Sequence, residues 1–477
     1  MKTNFDVLFN PDSVAIIGVS RDPLKMGHQC LDSLKDRGFK GKVYPVNPNI
    51  KEVLGIKTYP TLVSIPEKKI DLVIIVVPAR LVFGVLDECK DKGVKGAVII
   101  TAGFKELGHQ DGRNLQKDMA EMANRAGIKI IGPNTFGMVN THIGLNASFS
   151  PYLSQLKKGG IAVISQSGGI AHVIVNQGVA ENIGFSKVVG LGNRCNVEYA
   201  DLLEYLVDDD DTDVILLYIE GIDDPRRFIS AAKKAALKKP IVACKVGKSP
   251  AAYKPAYSHT GSIAGKYELY DAAFKQSNIV SAGDCEELLD IAKILSLSSP
   301  PKGDRVAVLS FQAGPGIMIT DVCATKGMKL PSFSDRTKKI LEETLPPMTI
   351  RTNPVDLGFA RGWKVLDTVI RAVLEDSNID ALIFFMLPHP VVPFKELFKG
   401  MVDLKKEYGK PVVMCINSHQ MDIQDVIDVF EKNSIPVYTT PERAAKALSG
   451  LVRYGRLRLL DNYPLSVIPH ADDVVEH

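Results

Sequence analysis

"AVISQSGGIAHVIVNQG", residues 162–178, passes from an apolar run through a turn of small residues and two glycines into a helical pattern, and "AVLSFQAGPGIMITDVC", residues 307–323, does so again. Both read as strand, glycine turn and helix. The likeness continues in the same order along the chain: "TDVILLYIEG" (212–221) matches "IDALIFFMLP" (379–388), "KKPIVACKVGKS" (238–249) matches "GKPVVMCINS" (409–418), and "IVSAGDCEELL" (279–289) matches "IPVYTTPERAA" (435–445). The spacing widens a little between copies, as loop insertions would make it. The repeat predicts two flavodoxin-like doubly wound domains, 158–300 and 303–465, on either side of "SSPPKGD" at 298–304.

Working back toward the N-terminus, "SVAIIGVS", "KVYPVNP", "DLVIIVVPA", "GAVIITAG" and "IKIIGPN" are short runs ending in Gly, Ser or Pro and separated by helical patterns. Near-continuous apolar strands alternating with helices belong to a parallel sheet covered on both faces, with ligands at the carboxyl ends of the strands. The expectation is an α/β chain with an N-terminal Rossmann-like domain over 1–130, a linker over 131–157, and the two doubly wound domains. A length of 477 residues accommodates three such units.

Composition narrows the function. With 45% apolar and 24% charged residues, and 58 Lys+Arg against 55 Asp+Glu, the chain is ordinary globular material, and no nucleic-acid partner is implied. No apolar stretch approaches the ~20 residues that span a bilayer, and no secretory leader is visible, so a cytoplasmic location is expected and no membrane partner. Seven cysteines without CxxC pairing read as reduced core residues, and no metal site is expected.

The glycine turns carry the first chemistry. A helix N-terminus presents unpaired N–H groups and the positive end of the macrodipole, and glycine lets an anion come close. Ser165, Ser167, Gly168 and Gly169 in one repeat, and Ala313, Gly314 and Gly316 in the other, are therefore candidate phosphate seats. One such turn more often merely closes a strand–helix connection; two at the same repeat position are harder to set aside. The turn of the first domain, "IIGVSRDPLKMGHQCL", departs from the dinucleotide pattern, since Gly18 is followed by Val19, Ser20 and Arg21 and the next glycine is Gly27. The second strand ends in "YPVNPN", without the acid that holds an NAD ribose. Ser20, Arg21 and Lys25 favour a different phosphate-bearing ligand. One further stretch, "AYSHTGSIAG" at 256–265, sets a lone histidine, His259, among small residues.

Together these segments resemble the NDP-forming acyl-CoA synthetases, whose domains are similar to those of succinyl-CoA ligase. "GVSRDPLKMG" with "YPVNPN" resembles their CoA-binding domain, "VISQSGG" and "GLGNRCNVEYADLLEYLVDDDDTDVILLYIEGI" their second domain, "SHTGSIAG" their phosphohistidine loop, and "TIRTNPVDL" their third domain. The resemblance implies CoA as substrate, held near Gly18, Ser20, Arg21, Lys25, Pro45, Asn47, Pro78, Thr101, Ala102, Gly103 and Asn134. It implies that His259 carries a phosphoryl group between an acyl phosphate and ADP, with Glu220 as the carboxylate that orients it. A neutral ring nitrogen is a good nucleophile near pH 7, and a carboxylate on the other ring N–H fixes the tautomer. The two glycine turns would face each other across the phosphate. Where many relatives have a run of glycines, this chain has "FQAGPG".

The family's nucleotide chemistry belongs to an ATP-grasp domain, while three doubly wound units take up essentially all of this chain and no GxxxxGK[ST] is present. The resemblance then implies an alpha subunit in a hetero-oligomer, whose separate ATP-grasp beta subunit brings ADP/ATP and Mg2+, with a small carboxylic acid, CoA and phosphate as the other participants. Three alternatives stay open here: a CoA transferase or acyltransferase, a CoA-sensing protein without catalysis, and a nicotinamide dehydrogenase. His28, His172 and His389 read as structural or surface residues.

Overall fold

A computed structural model of the chain describes residues 4–36, 38–249, 267–358, 362–387, 394–417 and 424–461. His259 and its loop, and His389, lie outside the described residues. The chain forms two compact units, Met1–Ala292 and Lys293–His477.

Three parallel five-strand arrangements share one topology. In the first unit, Ser13–Ile17, Lys42–Val46, Leu72–Ile75, Gly96–Ile99 and Lys129–Ile131 lie side by side in the order second, first, third, fourth, fifth. Lys158–Ser165, Phe185–Gly190, Val214–Ile219, Ile241–Lys245 and Ile279–Ser281 repeat that order in a second sheet. The second unit repeats it with Val306–Ser310, Val355–Asp356, Ala381–Met386, Val412–Ile416 and Val437–Tyr438. This is the flavodoxin-type doubly wound order, with its ligand crevice where the first and third strands part. The strands form because both their faces are covered: every residue of "VILLYI" (Val214–Ile219) and of "ALIFFM" (Ala381–Met386) is buried.

The expected linker over 131–157 is instead structured. Gly137–Asn140 and Leu145–Ser148 form a hairpin that extends the second sheet antiparallel to Phe185–Gly190, and every residue of both strands is buried. Their polar side chains are satisfied internally. Asn140 Nδ2 donates to the Phe9 carbonyl at 3.0 Å, Ser148 Oγ to Asn146 Oδ1 at 2.6 Å, and Asn146 Nδ2 to the Ser150 carbonyl at 3.1 Å. Beyond the hairpin, Ser154 Oγ donates to the Ser33 carbonyl of helix Met26–Asp36. The first two sheets therefore belong to one unit, and a single apolar cluster runs from Leu8 and Ile16 through Met138 to Ile164 and Leu217. The division between the two units falls inside helix Cys285–Leu297, just ahead of "SSPPKGD". Among the described residues, no helix is long and apolar enough to cross a membrane.

Candidate active site

At the carboxyl ends of the first two sheets a cavity of about 670 Å³ opens within the first unit. Thr101, Ala102 and Asn134 line it together with Ser167, Gly168, Gly169 and Glu220. Residues expected from the sequence to bind CoA, phosphate and the phosphohistidine thus meet in one space, although their segments lie far apart in the chain.

The glycine turn after strand Lys158–Ser165 is built by its serines. Ser167 caps helix Gly168–Ala180, its Oγ accepting from the Ile170 N–H at 3.4 Å, while Ser165 Oγ donates to the Ser167 carbonyl at 2.7 Å. Ser165 is buried and absent from the cavity wall, so its hydroxyl shapes the turn. A Cβ added to Gly169 would meet nothing within 4 Å, so the first turn of the helix faces open space. A helix end of this kind contributes roughly 0.3–1 kcal/mol toward a nearby anion when exposed, and up to ~2 kcal/mol when partly buried.

Glu220 follows strand Val214–Ile219 and is half-buried. Its N–H and that of Gly221 donate to Gln166 Oε1 at 3.2 and 3.1 Å, so the side chain after Ser165 sets the height of Glu220 above the sheet. The loop beyond is tied down as well: Asp223 accepts from Arg194 Nη2 at 2.9 Å and pairs with Lys105 Nζ at 3.6 Å.

On the first sheet, Glu106 gathers the N–H of Gly103 at 2.5 Å, that of Phe104 at 3.1 Å and Asn193 Nδ2 at 2.5 Å. Burial opposes its charge, but these hydrogen bonds outweigh it and hold the Glu106 carboxyl below the usual carboxylate range. Thr101 Oγ1 donates to the Val77 carbonyl at 2.7 Å, and the Asn134 N–H to the Thr101 carbonyl at 2.9 Å.

Gly18, Ser20, Arg21, Lys25, Pro45, Asn47, Pro78 and Gly103 are not part of the cavity wall. They lie at or just beyond the carboxyl ends of the first sheet's strands, and Met26, directly after the exposed Lys25, enters the wall. Asn47 Nδ2 donates to the Val19 carbonyl at 2.8 Å, Ser20 Oγ accepts from the Asp22 N–H at 3.0 Å, and Arg21 Nε donates to the Glu52 carbonyl at 3.2 Å. Pro78 precedes helix Ala79–Asp91 as its cap. His28 is structural, its Nδ1 lying 3.0 Å from the Ser20 carbonyl.

His172, expected to be structural or surface, lines the cavity instead. Its Nε2 lies 3.1 Å from Ser150 Oγ and its ring centroid 4.9 Å from that of Phe136. Burial pushes its pKa down more than a hydrogen bond to the Gly168 backbone pushes it up, so the ring is neutral at pH 7.

With this geometry in view the comparisons are specific. Three family models match in succession: a CoA binding domain over 12–141, a succinyl-CoA ligase like flavodoxin domain over 158–295, and a ligase-CoA domain over 306–458. The alpha subunit of acetate–CoA ligase (ADP-forming) II of Pyrococcus furiosus is 43% identical over 461 residues, which are 94% of this chain and 98% of that one. The chain belongs to the ADP-forming acyl-CoA ligases. Acetate–CoA ligase (ADP-forming) I of Archaeoglobus fulgidus is 40% identical across 98% of this chain, which spans 67% of that longer polypeptide. A solved structure of dinucleotide-forming acetyl-coenzyme A synthetase 1 from Candidatus Korarchaeum cryptofilum, in complex with phosphate and ADP, superposes with a TM-score of 0.87 at 36% identity, covering 97% of this chain and 100% of that one.

In the second unit of this ligase the repeated glycine turn has the same internal bond, Ser310 Oγ donating to the Gln312 carbonyl at 2.5 Å ahead of helix Ala313–Thr325. A Cβ on Gly314 would meet nothing within 4 Å, whereas one on Gly316 would lie 3.3 Å from Ser310 Cβ, so Gly316 serves helix packing.

Gln166, Asn193 and Glu106 were not singled out from the sequence. Gln166 left one trace: it stands where the second repeat has Phe311, a polar residue only 6% exposed at a position that is aromatic in the other copy. Gly27, noted only as falling outside the dinucleotide spacing, also has a role. A Cβ there would come within 2.1 Å of the Gly18 carbonyl oxygen, and Gly18 itself has a φ of +98°. Replacing Gly27 with Ala forces helix Met26–Asp36 off the turn. The expected cost is ~1–3 kcal/mol, read as a melting temperature lower by several degrees; an unchanged melting curve would refute the close approach.

Proposed function

We propose that this chain is the CoA-binding, phosphohistidine-bearing subunit of a cytoplasmic ADP-forming acid–CoA ligase, with acetate as the first acid to test. The observation that carries this reading is the single cavity shared by the Thr101–Ala102 turn, the Ser167–Gly169 helix end and Glu220.

In the proposed sequence, a phosphate oxygen attacks the thioester carbonyl, the C–S bond breaks, and CoA leaves as the thiol. The acyl phosphate then gives its phosphoryl group to a ring nitrogen of His259, releasing the acid. Phosphohistidine finally transfers the group to ADP. Each step depends chiefly on positioning and charge stabilisation. CoA is assigned to the edge formed by Gly18, Ser20, Arg21, Lys25, Pro45, Asn47, Pro78, Thr101, Ala102, Gly103 and Asn134. Phosphate is assigned to the N–H groups at Ser167–Gly169, with Ala313 and Gly314 as the second seat. Ser165 and Gly316 keep only the turn-building and packing roles described above.

ADP and Mg2+ are assigned to a separate ATP-grasp subunit. The Pyrococcus relative is named an alpha subunit, and the Archaeoglobus relative is a longer chain of which this one spans 67%. The test is to assay the pure chain, and then the chain with its co-purified partner, for ATP formation from acetyl-CoA, phosphate and ADP with Mg2+. Turnover is expected only in the second case. Robust turnover by the single polypeptide would overturn the division of labour, and none in either would overturn the reaction.

A further inference from the structure

Asn193 lines the cavity, is only 6% exposed and belongs to the loop after strand Phe185–Gly190 of the second sheet. Its side chain reaches three segments around the first sheet. Nδ2 donates to Glu106 Oε2 at 2.5 Å and to Gln116 Oε1, on helix Gln110–Ala126, at 3.0 Å, while Oδ1 accepts from Asn134 Nδ2 at 3.4 Å. The backbone adds two ties: the Asn193 N–H donates to the Pro133 carbonyl at 2.9 Å, and Gln116 Nε2 to the Asn193 carbonyl at 3.2 Å.

These bonds have a direction. The partners of the Glu106 carboxylate are N–H donors, Oε1 accepting from Gly103 and Phe104 and Oε2 from Phe104 and Asn193. A carboxylate accepts and does not donate, so the Asn193 amide must turn its NH2 end toward Glu106. Gln116 enforces the same choice, because its Nε2 is committed to the Asn193 carbonyl and its Oε1 is left to face Asn193 Nδ2. Asn193 Oδ1 then falls on the Asn134 side, and Asn134 must present Nδ2 to it. Through two amides the carboxylate decides which end of Asn134 is left for the cavity. The turns concerned need holding, since Gly103 has a φ of +118° and Asn134 one of +58°.

We propose that Glu106 and Asn193 are positioning residues for CoA: they lock the Thr101–Gly103 turn to the loop of the second sheet and set the Asn134 amide before CoA arrives. The proposal rests on the assignment of Thr101, Ala102, Gly103 and Asn134 to CoA above. A wall already shaped for its ligand spares the cost of ordering it on binding. The effect is on the shape of that wall and not on the phosphoryl steps.

The test uses the purified native complex and CoA itself. Glu106→Gln keeps the size of the side chain but puts an NH2 group where an acceptor stands, so a donor loses its partner unless the Asn193 and Asn134 amides turn over. CoA then meets a wall in the wrong arrangement. Its affinity by calorimetry and its KM are expected to weaken about tenfold, while labelling of the chain by ATP and Mg2+, a half-reaction that needs no CoA, keeps its wild-type rate. Equal CoA affinity in variant and wild type would overturn the proposal. So would an equal loss in both readouts, which marks general damage to the fold.

An unpaired buried donor also costs stability, so Glu106→Gln/Asn193→Asp supplies a second measurement. It moves the carboxylate to the next position in the chain of bonds: the new amide donates across the same gap, the new carboxylate still accepts from Asn134 Nδ2, and the Gln116 amide turns over to follow. This double variant is expected to bind CoA within about threefold of wild type, and a tenfold loss would overturn the proposal. Asn134→Ala tests the reading beneath. If it binds CoA as wild type does, the CoA assignment falls and the proposal with it; if it weakens CoA and Glu106→Gln does not, the proposal alone is overturned.

Discussion

Replacing His259 with Ala should abolish phosphorylation of this chain, a loss of more than ~1,000-fold in labelling from ATP and Mg2+ in the native complex. The segment from Ser258 to Gly265 offers serine, threonine, glycine, alanine and isoleucine besides the histidine. A hydroxyl would form a phosphate ester, too stable to hand the group on to ADP, whereas a ring nitrogen forms a phosphoramidate that is both made and broken readily. The label on the wild-type chain should accordingly be lost in acid and survive mild base. Acyl-CoA formation should fall in step with labelling, since the acyl phosphate and ADP would have no shared carrier. A His259→Ala complex that makes acyl-CoA at the wild-type rate would refute the phosphohistidine.

The second large effect is expected at Glu220. Changing it to Gln keeps the size of the side chain and leaves the backbone N–H bonds to Gln166 Oε1 in place, so folding should be preserved. What is removed is the negative charge that supports an imidazolium as the phosphoryl group arrives and that fixes which ring nitrogen is free to attack. Labelling of His259 should slow by ~100-fold or more. CoA binding should be nearly unchanged, because the expected CoA residues hang on the first sheet and are held by Glu106, Asn47 and Thr101 rather than by Glu220. Equal labelling rates in the Gln variant and the wild type would remove Glu220 from the mechanism. Weakened CoA binding together with slow labelling would point to a disturbed cavity instead.

The fold was legible wherever burial and hydrophobicity coincide. "VILLYI" and "ALIFFM" are apolar throughout and buried throughout, so the strands, their alternation with helices and the repeat could be read directly. The hairpin at Gly137–Asn140 and Leu145–Ser148 could not be. Its "GMVN" and "LNAS" mix apolar and polar residues, and Asn140, Asn146 and Ser148 are buried only because each finds a partner elsewhere in the fold. A buried asparagine and an exposed one look alike in a sequence. For the same reason residues 131–157 read as a linker, although the first sheet does end at Lys129–Ile131.

By itself the sequence determined the class of chemistry, through motifs that resemble one family, and it proposed the carriers: a histidine among small residues, a carboxylate closing an apolar strand, and glycine turns after strands. Only the tertiary structure decided which groups share a space and what holds them there. It placed His172 in the cavity wall rather than on the surface and turned Ser165 inward to build its turn. It also set Gln166 under Glu220. Such roles depend on contacts between strands that are remote in the chain, and the doubly wound order, which brings the first and third strands together, creates those contacts.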